Sequence, residues 1–478
     1  MGTHDLGDYS RCMDERYAVL DDAAGLARGY LDSLPSRRVG PSADLEELRS
    51  RLRRALTDGG EDPRSVIADL ARDVEPGLVA SAGPRYFGFV IGGTLPVALA
   101  ADWLTSAWDQ NAGGYVAAPA VSIAEEVAAG WVCELLGLPA GCGVGFVTGC
   151  QMAHFTCLAA ARHAVLRDAG WDVEARGLQG APELVVFAGE QVHVTVTVAC
   201  RMLGIDTERI RSVPADGQGR MRADELERAL RGHDGPAIVC AQAGEVNTGA
   251  FDPLADVVAA CRERGAWCHV DGAFGLWAAV SPTRRPLLAG FERADSWATD
   301  GHKWLNVPYD CGIAVVADRS AHRAAMTSTS AYIPEHDDDV PWGLDWTPEL
   351  SRRARGIPLY AAVRSLGRRG LADMVDRCCD LAARIADRLA EADGVEVLND
   401  VVLNQVLVRF GGDDGVTTAV IDRVQAQGTC WLSGSTFRGQ AVVRISVVGW
   451  QTTPADIDRS ADAILAALAA ERAARAAR

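Results

Sequence analysis

From about residue 85 to residue 320 the chain alternates short apolar or β-branched runs with longer helical stretches, the runs ending in Gly, Asp or Asn. The runs are Val144–Val147, Leu184–Phe187, Ala237–Ala241, Trp267–Val270, Ser296–Thr299 and Ile313–Val316, with helical periodicity at Met152–Arg167, Val194–Leu203 and Ala223–Arg231. Strands that alternate with helices imply βαβ units, and hence an α/β fold with a mostly parallel central sheet covered on both faces. Ligands of such sheets gather at the carboxyl ends of the strands, so the residues that follow each run are the candidates for chemistry.

The flanks read differently. Residues 1–84 form a helical N-terminal segment, in which Leu45, Leu48, Leu52 and Leu56 recur at helical spacing after Ser42 as N-cap. A large domain spans residues 85–345, and residues 346–478 form a small α+β domain. That domain opens with a helical stretch from Leu350 to Ala390, with a break expected at Pro358. Alternating runs at Val402–Phe410, Thr429–Leu432 and Ala441–Val448 suit an antiparallel sheet, and an Ala-rich helix runs from Asp456 to Arg478.

A formal charge of −17 repels phosphate backbones and anionic lipids, so nucleic acid and membrane are poor partners and small molecules remain. No apolar run reaches the roughly 18 residues of a membrane span, and residues 1–20 lack a basic stretch followed by an apolar one. Thirteen cysteines, scattered without a CxxC pair or zinc spacing, give no metal site and suit a reducing compartment. A soluble, cytoplasmic protein is expected.

Among 47 Lys and Arg residues only Lys303 is a lysine. Arginine cannot replace it where a deprotonable amine is required, because a guanidinium stays charged and forms no imine. Lys303 follows Ser296–Thr299 in Asp300-Gly301-His302-Lys303; Asp271 follows Trp267–Val270; Gly149, Cys150 and Gln151 follow Val144–Val147 and open a helix; His193 follows Leu184–Phe187. Singly, Asp271 reads as a strand-end cap and His193 as a helix-start residue. Together they offer an amine for a Schiff base with an aldehyde cofactor and a carboxylate to keep a pyridine nitrogen protonated. They add an imidazole to stack on the ring and a helix N-terminus for a phosphate. Pyridoxal 5′-phosphate uses all four features.

These residues resemble the group II pyridoxal-phosphate-dependent amino-acid decarboxylases, the aspartate-aminotransferase-like (fold type I) family of aromatic amino-acid and glutamate decarboxylases. The resemblance runs from about Arg85 to about Ala463. It rests chiefly on Gln191-Val192-His193, Asn247-Thr248-Gly249, His269-Val270-Asp271-Gly272-Ala273 and the block from His302-Lys303-Trp304 to Asp310-Cys311. It implies Lys303 as the covalent link to the cofactor, Asp271 as partner of the ring nitrogen, His193 stacked on one ring face and Ala273 on the other. Gly149, Cys150 and Gln151 fall on the phosphate turn, and His302 lies close to the phosphate or the lysine. Tyr332, 29 residues after Lys303, stands where relatives carry a loop tyrosine that returns a proton to the substrate carbon. The implied reaction turns an L-amino acid into an amine and CO2, in a homodimer that shares its active sites. The alternative is an aldehyde-forming or aminotransferase-type outcome; Tyr332 disfavours the aldehyde, which a Phe there accompanies in relatives.

The chain departs from the family in four places: Gly149-Cys150-Gln151 replaces the usual Ser or Thr turn, Asp300-Gly301 stands where relatives often have Asn-Pro, His154 where a smaller polar residue is frequent, and Glu245-Val246 replaces a Thr-rich turn. A nicotinamide enzyme is suggested by Gly141-Cys142-Gly143-Val144-Gly145-Phe146, but Phe146 occupies the third glycine and the strand follows the glycines. For the substrate, Arg85 and Arg444 suit a second carboxylate, whereas Phe87, Tyr115, Trp108 and Trp342 suit an aromatic side chain.

Overall fold

A computed structural model describes residues 16–327 and 340–477. The central sheet comprises β1 (Gly143–Val147), β2 (Val185–Gly189), β3 (Ile210–Val213), β4 (Ala237–Gln242), β5 (Trp267–Asp271), β6 (Ser296–Asp300) and β7 (Gly312–Val316). Their order is β1-β7-β6-β5-β4-β2-β3. Pairing is parallel from β3 to β6, and β7 lies antiparallel to both β6 and β1. β1 therefore runs with β6, and every strand but β7 ends at the same edge. β2, β4, β5, β6 and β7 are buried along their whole length, which is why they read as unbroken apolar runs. β3 escapes the sequence reading because it is an edge strand, with Arg211 and Ser212 exposed.

The helix Cys150–Asp168 crosses this sheet, packed on β1, β5, β6 and β7 through buried small residues such as Ala153, Cys157 and Ala160. In the N-terminal segment the helix Leu45–Leu52 is capped by Asp44, whose carboxylate accepts the Glu47 N–H; Ser42 is not the cap and Leu56 lies beyond the helix. The expected break at Pro358 is not there. Pro358 sits in the first turn of the helix Gly356–Ala390, where its missing N–H costs nothing. The interruption is at Gly367, with φ 60° and ψ −178°, a backbone that glycine adopts freely.

A second, antiparallel sheet contains β8 (Val395–Val397), β9 (Gln405–Phe410), β10 (Ser433–Phe437) and β11 (Gln440–Ser446), in the order β10-β11-β9-β8. The expected strand at 429–432 is instead loop; the strand lies just after it, in the polar Ser-Gly-Ser-Thr-Phe, of which only the two ends are buried. β8 was likewise hidden, being short and at the edge.

Candidate active site

The carboxyl edge of the sheet gathers the strand-end residues. Asp271 closes β5, Asp300 closes β6 just before His302 and Lys303, Gly149 follows β1 and His193 follows β2. In register, Val147 and Asp300 flank Gly312 of β7. A Cβ on Gly312 would lie 2.4–2.7 Å from the Gly149 backbone, so glycine lets β7 press against the turn that opens the helix Cys150–Asp168. A Cβ on Gly149 itself would meet His302 Cε1 at 3.2 Å.

Lys303 Nζ lies 3.2 Å from Asp300 Oδ2. Burial pulls the amine pKa down, but Asp300, with Cys150 and Asp271, outweighs it and the net direction is upward. A partly neutral amine, which imine chemistry wants, is therefore not the resting state; Asp300 holds an ammonium. The other carboxylate oxygen, Asp300 Oδ1, is buried without a hydrogen-bond partner and lies 3.6 Å from His302 Nε2. His302 Nδ1 accepts the Cys311 N–H at 3.2 Å, which places the ring proton of the neutral imidazole on Nε2, and the ring stacks on Tyr309 at 4.3 Å.

Asp271 is buried and accepts the Ala273 N–H at 3.1 Å through Oδ1, while His154 Nε2 lies 3.4 Å from Oδ2. Burial raises its carboxyl pKa, but His154, His193 and Lys303 outweigh this and hold it well below the usual carboxylate range. His193 caps the helix Val194–Met202, its Nδ1 2.8 Å from Thr195 Oγ1. Burial lowers the pKa of this ring, and the charges of Asp271, Lys303 and Arg444 all act on it. Cys150 Sγ is 3.5 Å from His154 Nε2, whereas the Gln151 side chain is exposed. Tyr332 lies outside the described residues.

The substrate candidates separate. Arg85 is 1% exposed and donates to the carbonyls of Thr429, Pro35 and Arg37, so its guanidinium ties the N-terminal segment to the loop before β10. Phe87 belongs to the core. Tyr115 is half-buried on a loop before the helix Pro119–Leu136. Arg444, on β11, is buried, its Nη1 3.5 Å from the Val246 carbonyl and its Nε without a hydrogen-bond partner. Asp300 and His154 were visible in sequence only as departures from a family pattern; their contacts with Lys303 and Asp271 make them part of the site.

Pyridoxal 5′-phosphate fits these residues. The chain's one lysine and an ionised carboxylate stand at neighbouring strand ends. Gly149 offers the helix Cys150–Asp168 no side-chain cap, so its first-turn N–H groups are left for an anion.

A family model described as the pyridoxal-dependent decarboxylase conserved domain matches residues 46–410. The aromatic-L-amino-acid decarboxylase of Bacillus atrophaeus is 26% identical over 446 residues, 90% of this chain and 91% of that protein. The acidic amino acid decarboxylase of Homo sapiens is 30% identical over 361 residues, 74% of this chain and 68% of that protein. The crystal structure of Oryza sativa TDC with PLP and tryptamine superposes with a TM-score of 0.89 at 24% identity, covering 98% of this chain and 99% of that one. The chain belongs to the pyridoxal-dependent decarboxylases, and is a lyase that uses pyridoxal 5′-phosphate to release CO2 from an amino acid.

Proposed function

We propose that Lys303 anchors the cofactor covalently and that Asp271 keeps its ring nitrogen protonated, for an L-amino acid whose products are the amine and CO2. When bound, the cofactor supplies an electron sink for the bonding pair left as CO2 departs. His193 would lie on one face of the ring and Ala273 on the other, and the Gly149-Cys150-Gln151 turn would hold the phosphate through backbone N–H groups, with His302 beside it. The Cα–carboxylate bond breaks, a C–H bond forms, and one proton is consumed; we assign its delivery to Tyr332 on the basis of the sequence. The observation that carries this reading is the meeting of Lys303 and Asp300 with Asp271 at the ends of β6 and β5. Lys303→Ala and Lys303→Arg are expected to lose CO2 release and the visible absorbance of bound cofactor together; an active Lys303→Arg protein overturns the assignment.

Arg444 favours a substrate with a second carboxylate. A buried guanidinium with an unpartnered Nε can hold one carboxylate while the other leaves. CO2 release measured across the natural amino acids should be fastest with Asp or Glu. Faster turnover of aromatic substrates overturns this part alone. Product analysis, amine against aldehyde, with and without air, separates simple decarboxylation from the oxidative outcome.

The reading includes a homodimer. Leu20, Leu70, Trp103, Leu104, Trp108 and Val116 are all exposed on the N-terminal helices and the segment that follows them, an apolar surface suited to a second copy of the chain. A cytoplasmic location is supported by the free state of the described cysteines; no described helix is long and apolar enough to cross a membrane.

A further inference from the structure

Behind Asp271 a row of buried polar side chains runs through the molecule without a gap. Trp267, His269 and Asp271 alternate along β5 and so share one of its faces. Ser296 of β6 is the residue paired with His269, and His154 lies one turn beyond Cys150 on the helix that covers this face. Trp267 Nε1 lies 2.9 Å from Ser296 Oγ, Ser296 Oγ 2.9 Å from His269 Nδ1, His269 Nε2 2.9 Å from His154 Nδ1, and His154 Nε2 3.4 Å from Asp271 Oδ2. His154, His269 and Ser296 are fully buried.

The two ends of the row dictate where its hydrogens sit. An indole N–H only donates, so Ser296 Oγ accepts from Trp267; an ionised carboxylate only accepts, so His154 must present N–H on Nε2 to Asp271. When His154 is neutral its Nδ1 accepts from His269 Nε2–H, and His269 Nδ1 accepts the Ser296 hydroxyl hydrogen. With both rings neutral, one tautomer of each satisfies these four contacts, whereas a second proton on His154 would reverse the two links beyond it and leave the donor to Asp271 in place.

We propose that His154 and His269, backed by Ser296 and Trp267, are positioning residues that aim Asp271 and keep it anionic. The row ends on Oδ2, and Ala273 N–H binds Oδ1, so the carboxylate is fixed in its plane by two donors. A carboxylate made less basic by a hydrogen bond leaves the shared proton on the cofactor's ring nitrogen, where it is needed for the ring to draw electrons. The proposal rests on the assignment of Asp271 to that nitrogen.

The test measures the rate at which the holoenzyme loses pyridoxal 5′-phosphate on dilution, together with histidine 15N shifts. His154→Leu removes the donor to Asp271 and should speed loss roughly tenfold to a hundredfold. His154→Gln, whose amide nitrogen reaches the place of Nε2, should restore most of the retention. Ser296→Ala removes one hydroxyl at the far end, and should fold even if His154→Leu does not; it should speed loss by a few fold and free His269 to change tautomer. In the unsubstituted holoenzyme both rings should give the shifts of the neutral Nε2–H form. Wild-type retention in both His154→Leu and Ser296→Ala, or an Nδ1–H signal from either ring, overturns the proposal. Asp271→Asn is the control: if it sheds cofactor while the other variants do not, the relay alone fails, and if it too retains cofactor normally, the assignment of Asp271 fails with it.

Discussion

Asp300 sets how the lysine amine behaves before a cofactor arrives, because it pairs with Nζ at 3.2 Å in a buried place. Asp300→Asn removes the charge that keeps the amine protonated, so the reaction of apoenzyme with pyridoxal 5′-phosphate at neutral pH should become faster, as read by stopped-flow absorbance. A rate at or below wild type contradicts that role. Another residue sets an acid limit. His322 is buried as the neutral ring, its Nε2 3.1 Å from the Trp346 carbonyl, and burial pulls its pKa down to about 4. As pH falls from the usual histidine value of about 6.5 towards 4, the unfolded chain takes up a proton that the folded one refuses, and about 3 kcal/mol of stability is lost. Urea midpoints at pH 7, 5 and 4 should fall accordingly, and less steeply in His322→Gln. Lys303 and Asp271 stand out in the sequence because the chemistry proposed for them admits few other residue types. The sequence did not disclose the partners of Asp271 or Lys303, since these depend on which face of β5 and of the helix Cys150–Asp168 meet.

Among the elements, β7 shows how a strand can shape a site to which it lends no functional side chain. Gly312→Ala would push a methyl group into the Gly149 backbone, and overpacking of this kind costs about 1–3 kcal/mol. Thermal unfolding should report that loss, and the displaced turn should weaken cofactor retention in the same protein. A second joint ties the start of the helix Gly356–Ala390 to the helix Pro119–Leu136. Arg352 donates to both oxygens of Glu125, at 3.1 and 2.6 Å, and the Gly356 N–H reaches the same carboxylate at 3.0 Å. Both side chains are buried, so Arg352→Leu leaves an uncompensated charge and should cost about 3–5 kcal/mol in chemical denaturation. The interior strands were legible because burial on both faces demands apolar runs, whereas β3, β8 and β10 are edge strands with an open side and polar residues to suit it. The direction of β7 had no local signature; an apolar strand reads the same either way.

At the scale of the whole molecule, the alternation of strands and helices was enough to place the functional edge, but the surface that a second copy would cover was not, since Leu70 and Trp103 look like any helical apolar residues until their exposure is known. Trp103→Glu should shift sedimentation towards the monomer and lower activity in parallel; a fully active monomer would falsify the shared-site dimer. The solitary lysine, half-buried and paired with the buried Asp300, has a further consequence. A lysine-specific protease has one peptide bond to cut in the entire chain, and the folded molecule withholds it. At high protease, where cutting outpaces reclosing, the appearance of the two fragments follows the rate of opening, so that the residue proposed to hold the cofactor also serves as a clock for how often the protein opens.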